Sequence, residues 1–150
     1  MSRSIGLLGD YSGDWRAAAR RTVETAGLEV YDPSDARWGA INHDNGDRMQ
    51  DLIDTLVAEQ HAAIASLACA VFYLSAWQDA AHTQPAPGYA ARCELGFLTG
   101  HGIPSFVHVA PDVVGRNYLW AQMKPHPHMQ ACADLDTAVQ RAVHFVLRRN

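Results

Sequence analysis

Glu94 is the residue of this chain best placed for covalent chemistry. It stands in Ala91-Arg92-Cys93-Glu94-Leu95-Gly96-Phe97-Leu98-Thr99, a helical stretch that Gly100 and Gly102 can end and Pro104 discourages from continuing. A carboxylate in the opening turns of a short helix is expected to be held ionised by the helix dipole and by free backbone N–H groups. That is the state in which it can attack a sugar carbon as a nucleophile. Alone, it reads more simply as a solvated glutamate on an amphipathic helix, so the argument turns on what stands beside it. Cys93 is the rival nucleophile. Adjacent helix residues point about 100° apart, so one of the two faces the core, and cysteine is the expected buried partner.

A second candidate stretch is Gly6-Leu7-Leu8-Gly9-Asp10-Tyr11-Ser12-Gly13. It is not the GxGxxG dinucleotide fingerprint, and it lacks the lysine of a phosphate-cradling loop. Asp10 and Asp14 would oppose a pyrophosphate, so a neutral polar ligand suits the turn better, although Ser12, Gly13 and Arg16 leave a monophosphate open. Trp15, Trp38, Trp77 and Tyr11 fall in or beside the loops that follow strands, where several aromatics at one mouth suit stacking on a planar base. The pair His126 and His128, with Cys132 downstream, lacks the third and fourth ligands that a zinc site needs. Neither a metal nor another cofactor is expected.

These residues must be positioned by the elements around them. Ser4–Gly9 reads as a short apolar strand, followed by a helix from Trp15 to Ala26 that Asp14 or Ser12 could cap. Leu28–Tyr31 reads as a second strand closed by Asp32-Pro33, and Asp47–Leu67 as a long helix with apolar residues at helical spacing. Ala68–Leu74 is a continuous apolar run, as a central parallel strand should be. A proline-bearing loop from Ser75 to Pro87 leads to the Glu94 helix and the Pro104–Val109 strand. A short helix at Asn117–Met123, an edge strand at Met129–Ala133 and a closing helix at Leu135–Arg148 complete the chain. Strands alternating with helices imply right-handed crossovers. The fold expected is a three-layer α/β/α sandwich, flavodoxin- or Rossmann-like, on a mostly parallel sheet of about five strands. Ligands of such sheets sit beyond the carboxyl ends of the strands, and Glu94 belongs to a segment at that end.

Bulk properties narrow the alternatives. The 150 residues, 48% of them hydrophobic, suit a single domain spanning 1–150. A formal net charge of −4 and a pI near 6.0 argue against a nucleic-acid polymer or an anionic membrane as partner. No apolar run approaches the roughly 20 residues that span a bilayer, and no signal peptide is visible. Three separated cysteines, Cys69, Cys93 and Cys132, read as buried thiols in a reducing compartment, so a cytoplasmic location is expected.

Taken together, four ordered blocks resemble the nucleoside 2-deoxyribosyltransferase superfamily and its relatives, the nucleotide N-glycosidases. They are Gly9-Asp10-Tyr11-Ser12-Gly13-Asp14-Trp15-Arg16; Val30-Tyr31-Asp32-Pro33 with Trp38; Ala68-Cys69-Ala70-Val71-Phe72-Tyr73-Leu74; and Glu94-Leu95-Gly96-Phe97 through Gly102-Ile103-Pro104. The last is the most specific, because the family's nucleophile is the glutamate of this Glu-Leu-Gly pattern. The resemblance implies base exchange on 2′-deoxynucleosides through a deoxyribosyl ester on Glu94. Tyr11 would orient the glutamate and Asp79 would act as acid toward the leaving base. Gly9, Asp10, Ser12, Gly13, Trp15, Asp32, Trp38 and His61 would line the substrate site. Asn117 would reach the sugar 5′-hydroxyl, in this family from a neighbouring subunit. Nucleosides or nucleotides and free nucleobases are the implied partners, and a homodimer or higher homo-oligomer the implied state.

One departure stands out. Eight residues before Cys69 the family carries an aspartate that helps bind base or sugar, and this chain has His61 there, with Glu59 on a different helix face. Two other readings therefore accompany the transferase: hydrolysis of (deoxy)nucleoside 5′-monophosphates to base and sugar phosphate, and a catalytically impaired module that senses nucleosides or nucleotides.

Overall fold

Apolar runs and helical periodicity alternate along the chain, and the product is a parallel sheet. The computed structural model describes residues 3–10, 14–34, 37, 40–41, 46–75 and 89–149. Its strands are β1 (Ser4–Gly9), β2 (Glu29–Tyr31), β3 (Cys69–Leu74), β4 (Ser105–Val109) and β5 (Met129–Ala131). Its α-helices are α1 (Trp15–Thr25), α2 (Gln50–Ala65), α3 (Tyr89–Gly100), α4 (Arg116–Met123) and α5 (Leu135–Leu147). The single helix expected from Asp47 to Leu67 is instead a 3-10 turn at Gly46–Met49 followed by α2. Asp134 caps α5, accepting a hydrogen bond from the Thr137 backbone N–H at 2.7 Å.

The strands lie in the order β2-β1-β3-β4-β5, and all pairings are parallel. The expected flavodoxin-like three-layer sandwich is therefore observed. On one face α1 and α5 cover Ile5, Leu7, Val71 and Phe106. On the other, α2, α3 and α4 pack with Leu8, Phe72, Val107 and Val109. The order reverses at β1, whose neighbours β2 and β3 are reached by crossovers that diverge to opposite sides. Such a switch point opens a crevice beyond the carboxyl ends of the two central strands. Here those ends are Gly9 and Tyr73, paired in register. No helix among the described residues is long and apolar enough to cross a membrane.

Gly9 is the backbone position the crevice depends on. Its φ is +104°, and a Cβ there would lie 2.0 Å from the Tyr73 carbonyl oxygen. Asp10 then leaves the strand with its N–H donated to that same carbonyl at 2.8 Å. Nothing among the described residues crowds Gly96, within α3, where a Cβ would meet open space. The two glycines should thus respond oppositely to alanine. Gly9→Ala is expected to lose about 3 kcal/mol or more, a drop in Tm of roughly 6–12 °C for a domain of this size. Gly96→Ala, relieving a mid-helix glycine, is expected to gain about 0.5–1 kcal/mol. Thermal melts of the two variants check both signs.

Candidate active site

Three helices each place one polar residue in the register of their buried stripe. In α1, Arg16 shares the buried face with Ala19 and Val23. In α2, Gln60 stands four residues from each of the buried Leu56 and Ile64. In α3, Glu94 is 7% exposed among Ala91, Leu95 and Leu98. Two of these polar residues meet directly, and the third reaches them through the end of β1.

The Glu94 carboxylate is held by two neutral donors. The Gly9 backbone N–H donates to Oε2 at 2.9 Å, and the Gln60 side-chain amide donates to Oε1 at 2.6 Å. Arg16 sits just behind. Its guanidinium donates to the carbonyls of Leu7 (3.2 Å), Gly9 (3.0 Å) and Asp10, and its Nε lies 3.5 Å from Asp32 Oδ1. The Asp10 carboxylate accepts from the Ser75 N–H at 3.1 Å and from the Ser75 hydroxyl, tying the loop after β1 to the loop after β3. Beside Gln60 a cavity of about 230 Å³ opens between the end of β2 and α2, lined by Tyr31, Asp32, Pro33, Leu56 and Glu59 among others.

Burial raises the Glu94 pKa above the ordinary carboxylate range, although the Gly9 N–H, the Gln60 amide and the Arg16 charge each pull it down. The helix end expected to govern this carboxylate is not its largest influence. Glu94 is the sixth residue of α3, beyond the first turn where the dipole acts, and desolvation is the largest influence on it. The choice between Cys93 and Glu94 is reversed as well: Cys93 is exposed and the glutamate is buried. Of the three thiols expected to be buried, only Cys69 and Cys132 are.

The remaining site residues divide sharply. Gly9 donates its N–H to the Glu94 carboxylate, while Asp10, next along the chain, has its own carboxylate on Ser75. Asp32 lines the cavity beside Gln60, but its carboxylate is engaged by Arg16, Arg20 and Ser34. Trp15 is not a stacking platform. It is 8% exposed, packs edge-on against Tyr73 and donates its indole N–H to the Asp10 carbonyl at 2.8 Å. His61 turns away from Glu94 and stacks on Phe97, with ring centroids 4.3 Å apart, on the exposed side of α2 and α3. Its neighbour Gln60 is the α2 residue that reaches the carboxylate. Asn117 stands exposed in the first turn of α4 and takes no part in holding Glu94. Tyr11, Ser12, Gly13, Trp38, Trp77 and Asp79 lie outside the described residues. Among the described residues no group of three or more His, Cys, Asp or Glu side chains is arranged to hold a metal; the rings of His126 and His128 meet edge to face at 5.6 Å.

Fold and site together define an α/β sandwich with a buried, hydrogen-bonded carboxylate at its topological switch point. The chain matches no family model and no curated protein sequence.

A carboxyl whose pKa is raised by folding stabilises the fold in its protonated form. That contribution is complete below the ordinary carboxylate range and is lost as the pH climbs through the folded-state value. Glu94→Gln should therefore raise Tm at neutral pH. Its carbonyl can keep the Gly9 bond, and its amide can face a flipped Gln60. The gain in Tm over the parent should be largest at about pH 8 and shrink toward about pH 4. Differential scanning calorimetry across that range measures it, and a gain that grows toward acid would contradict the assignment.

Proposed function

We propose that this protein cleaves and exchanges the N-glycosidic bond of 2′-deoxynucleosides, with Glu94 as nucleophile. The observation that carries the reading is the carboxylate itself, desolvated yet fixed by two hydrogen bonds at the mouth of the crevice. In the first step a Glu94 carboxylate oxygen attacks C1′ of the sugar. The C1′–N bond breaks with its electron pair leaving on the base nitrogen, which is protonated as it departs. In the second step a nitrogen of an incoming base, or a water oxygen, attacks C1′ from the vacated side and breaks the ester, so configuration is retained overall. The Gly9 N–H and the Gln60 amide hold the carboxylate in position for both displacements. Asp79 and Tyr11 keep the roles that the resemblance implies for them, as acid toward the base and as orienting hydroxyl.

The free nucleoside is favoured over its 5′-monophosphate by one specific arrangement. Arg16, the cation that the turn offers to a phosphate, has its guanidinium on the Leu7, Gly9 and Asp10 carbonyls and against Asp32. The Asp10 carboxylate stands in the same turn and would repel a dianion.

Incubating the protein with a deoxynucleoside and a second free base, and resolving the products by chromatography, decides among the readings. Exchanged nucleoside is expected. Free deoxyribose alone would make it a hydrolase, cleavage of the monophosphate alone would displace the nucleoside, and binding without turnover would make it a sensor. Glu94→Ala should lower turnover by at least about 10³-fold, and full turnover in that variant would overturn the mechanism.

Gln60→Leu removes a hydrogen bond that lowers the Glu94 pKa. Because the nucleophile acts deprotonated, rate should rise with pH along an acid limb set by Glu94, and the variant should move that limb to higher pH. A pH profile of kcat/KM for parent and variant measures the displacement.

A further inference from the structure

The face of the sheet opposite Glu94 carries a second concavity. It measures about 690 Å³ and runs along α5 beside β4 and β5, from Asp136 at one end to Arg148 and Arg149 at the other. The α5 residues that line it recur every helical turn along the full helix, about 20 Å for 13 residues. Phe106 and Phe145 supply apolar wall, and Arg141 adds a third guanidinium. Such an elongated trough suits a helix better than a compact molecule. Its charge runs against that of the chain, which is −4 overall.

The same chain carries a surface of matching length and opposite charge. The outward side of α2 presents Asp51, Asp54, Ala58, Ala62 and Ala65, all exposed. The helix, Gln50–Ala65, contains no lysine or arginine, and Asp47 is exposed in the turn just before it. A solvated helix face ordinarily carries charge along its length. Here Asp51 and Asp54 stand in the first turns, the exposed Glu59 to one side is paired with Arg37, and Thr55 and the three alanines make up the rest of the stripe.

We propose that the α5 groove of one molecule receives the outward face of α2 from a second copy of this chain. Laid antiparallel, the acidic start of α2 meets Arg148 and Arg149, and the alanines lie along the apolar wall at a spacing that lets the helices approach closely. Each helix end also faces the opposite end of its partner's dipole. Since α2 and α5 lie on opposite faces of the sheet, the contact is heterologous and builds a ring or an open chain rather than a simple two-fold pair. The groove is distinct from the crevice at Glu94, so the proposal stands or falls apart from the proposed reaction.

Sedimentation velocity on the intact chain tests it. Association is expected at about 50 mM salt and should weaken at least about tenfold at roughly 500 mM, because the pairing charges are exposed. R141E/R148E and D51R/D54R should each be monomeric alone, with helical content unchanged by circular dichroism, and should associate again when mixed. If D51R/D54R fails to fold, R141E/R148E and the salt dependence still decide. A chain that stays monomeric at low salt overturns the proposal, as do variants that associate like the parent or a mixture of folded variants that does not associate.

Discussion

Burying one carboxylate where the strand order reverses is the constraint on which the rest of the site depends. Taking an ionised group out of water costs several kcal/mol even after the protein relaxes. The neighbouring elements are arranged to offset that cost. β1 ends in a glycine because only a residue without Cβ can turn there against the Tyr73 carbonyl and still point its N–H at Glu94. α2 gives up an apolar position to Gln60, and α1 gives up another to Arg16. No buried side-chain polar atom among the described residues lacks a hydrogen-bond partner, as a polar network in a low-dielectric interior requires.

Arg16 joins this network to the framework. Its contacts are with backbone carbonyls on the last turn of β1 and with the carboxylate of Asp32 after β2, so one guanidinium fixes the ends of adjacent strands. Ser75 does the same across β1 and β3 through Asp10. Among the described residues, the ends of β1, β2 and β3 are thus tied to one another through Arg16 and Asp10. For the reaction proposed above, fixed strand ends of this kind would count as preorganisation of the site.

Most of the sheet was legible in the sequence, because strands buried on both faces are written as unbroken apolar runs and the helices between them keep a clear period. The helix that carries Glu94 was legible too. Its environment was not, and the errors share one physical cause. Choosing Cys93 as the buried neighbour applied a rule about hydrophobicity to a helix whose buried register had been given to a charge. Placing His61 at the site by its distance from Cys69 passed over its neighbour Gln60, while one residue turns a helix by about 100°. The phase was present in the sequence: Leu56 and Ile64 flank position 60 at four-residue intervals, so a polar residue there interrupts the apolar stripe. Arg16 is the same signal in α1. A polar residue in the register of a buried stripe marks this site better than any motif spacing does.

The identity of the donors bears on what the carboxylate can do. A direct ion pair with arginine would stabilise the Glu94 anion most strongly, and would also draw off the electron density that a nucleophile needs. Here the cation is spent on the carbonyl of Gly9, and the carboxylate receives two neutral donors instead. Such donors fix geometry while leaving the pKa raised by burial, so the ionised form stays basic. A glutamine at position 94 could accept from the Gly9 N–H without an ionisable group, whereas a leucine would leave that N–H and the Gln60 amide unpaired. The stability that the folded chain gives up by holding Glu94 this way is an argument for the reactive role proposed for it.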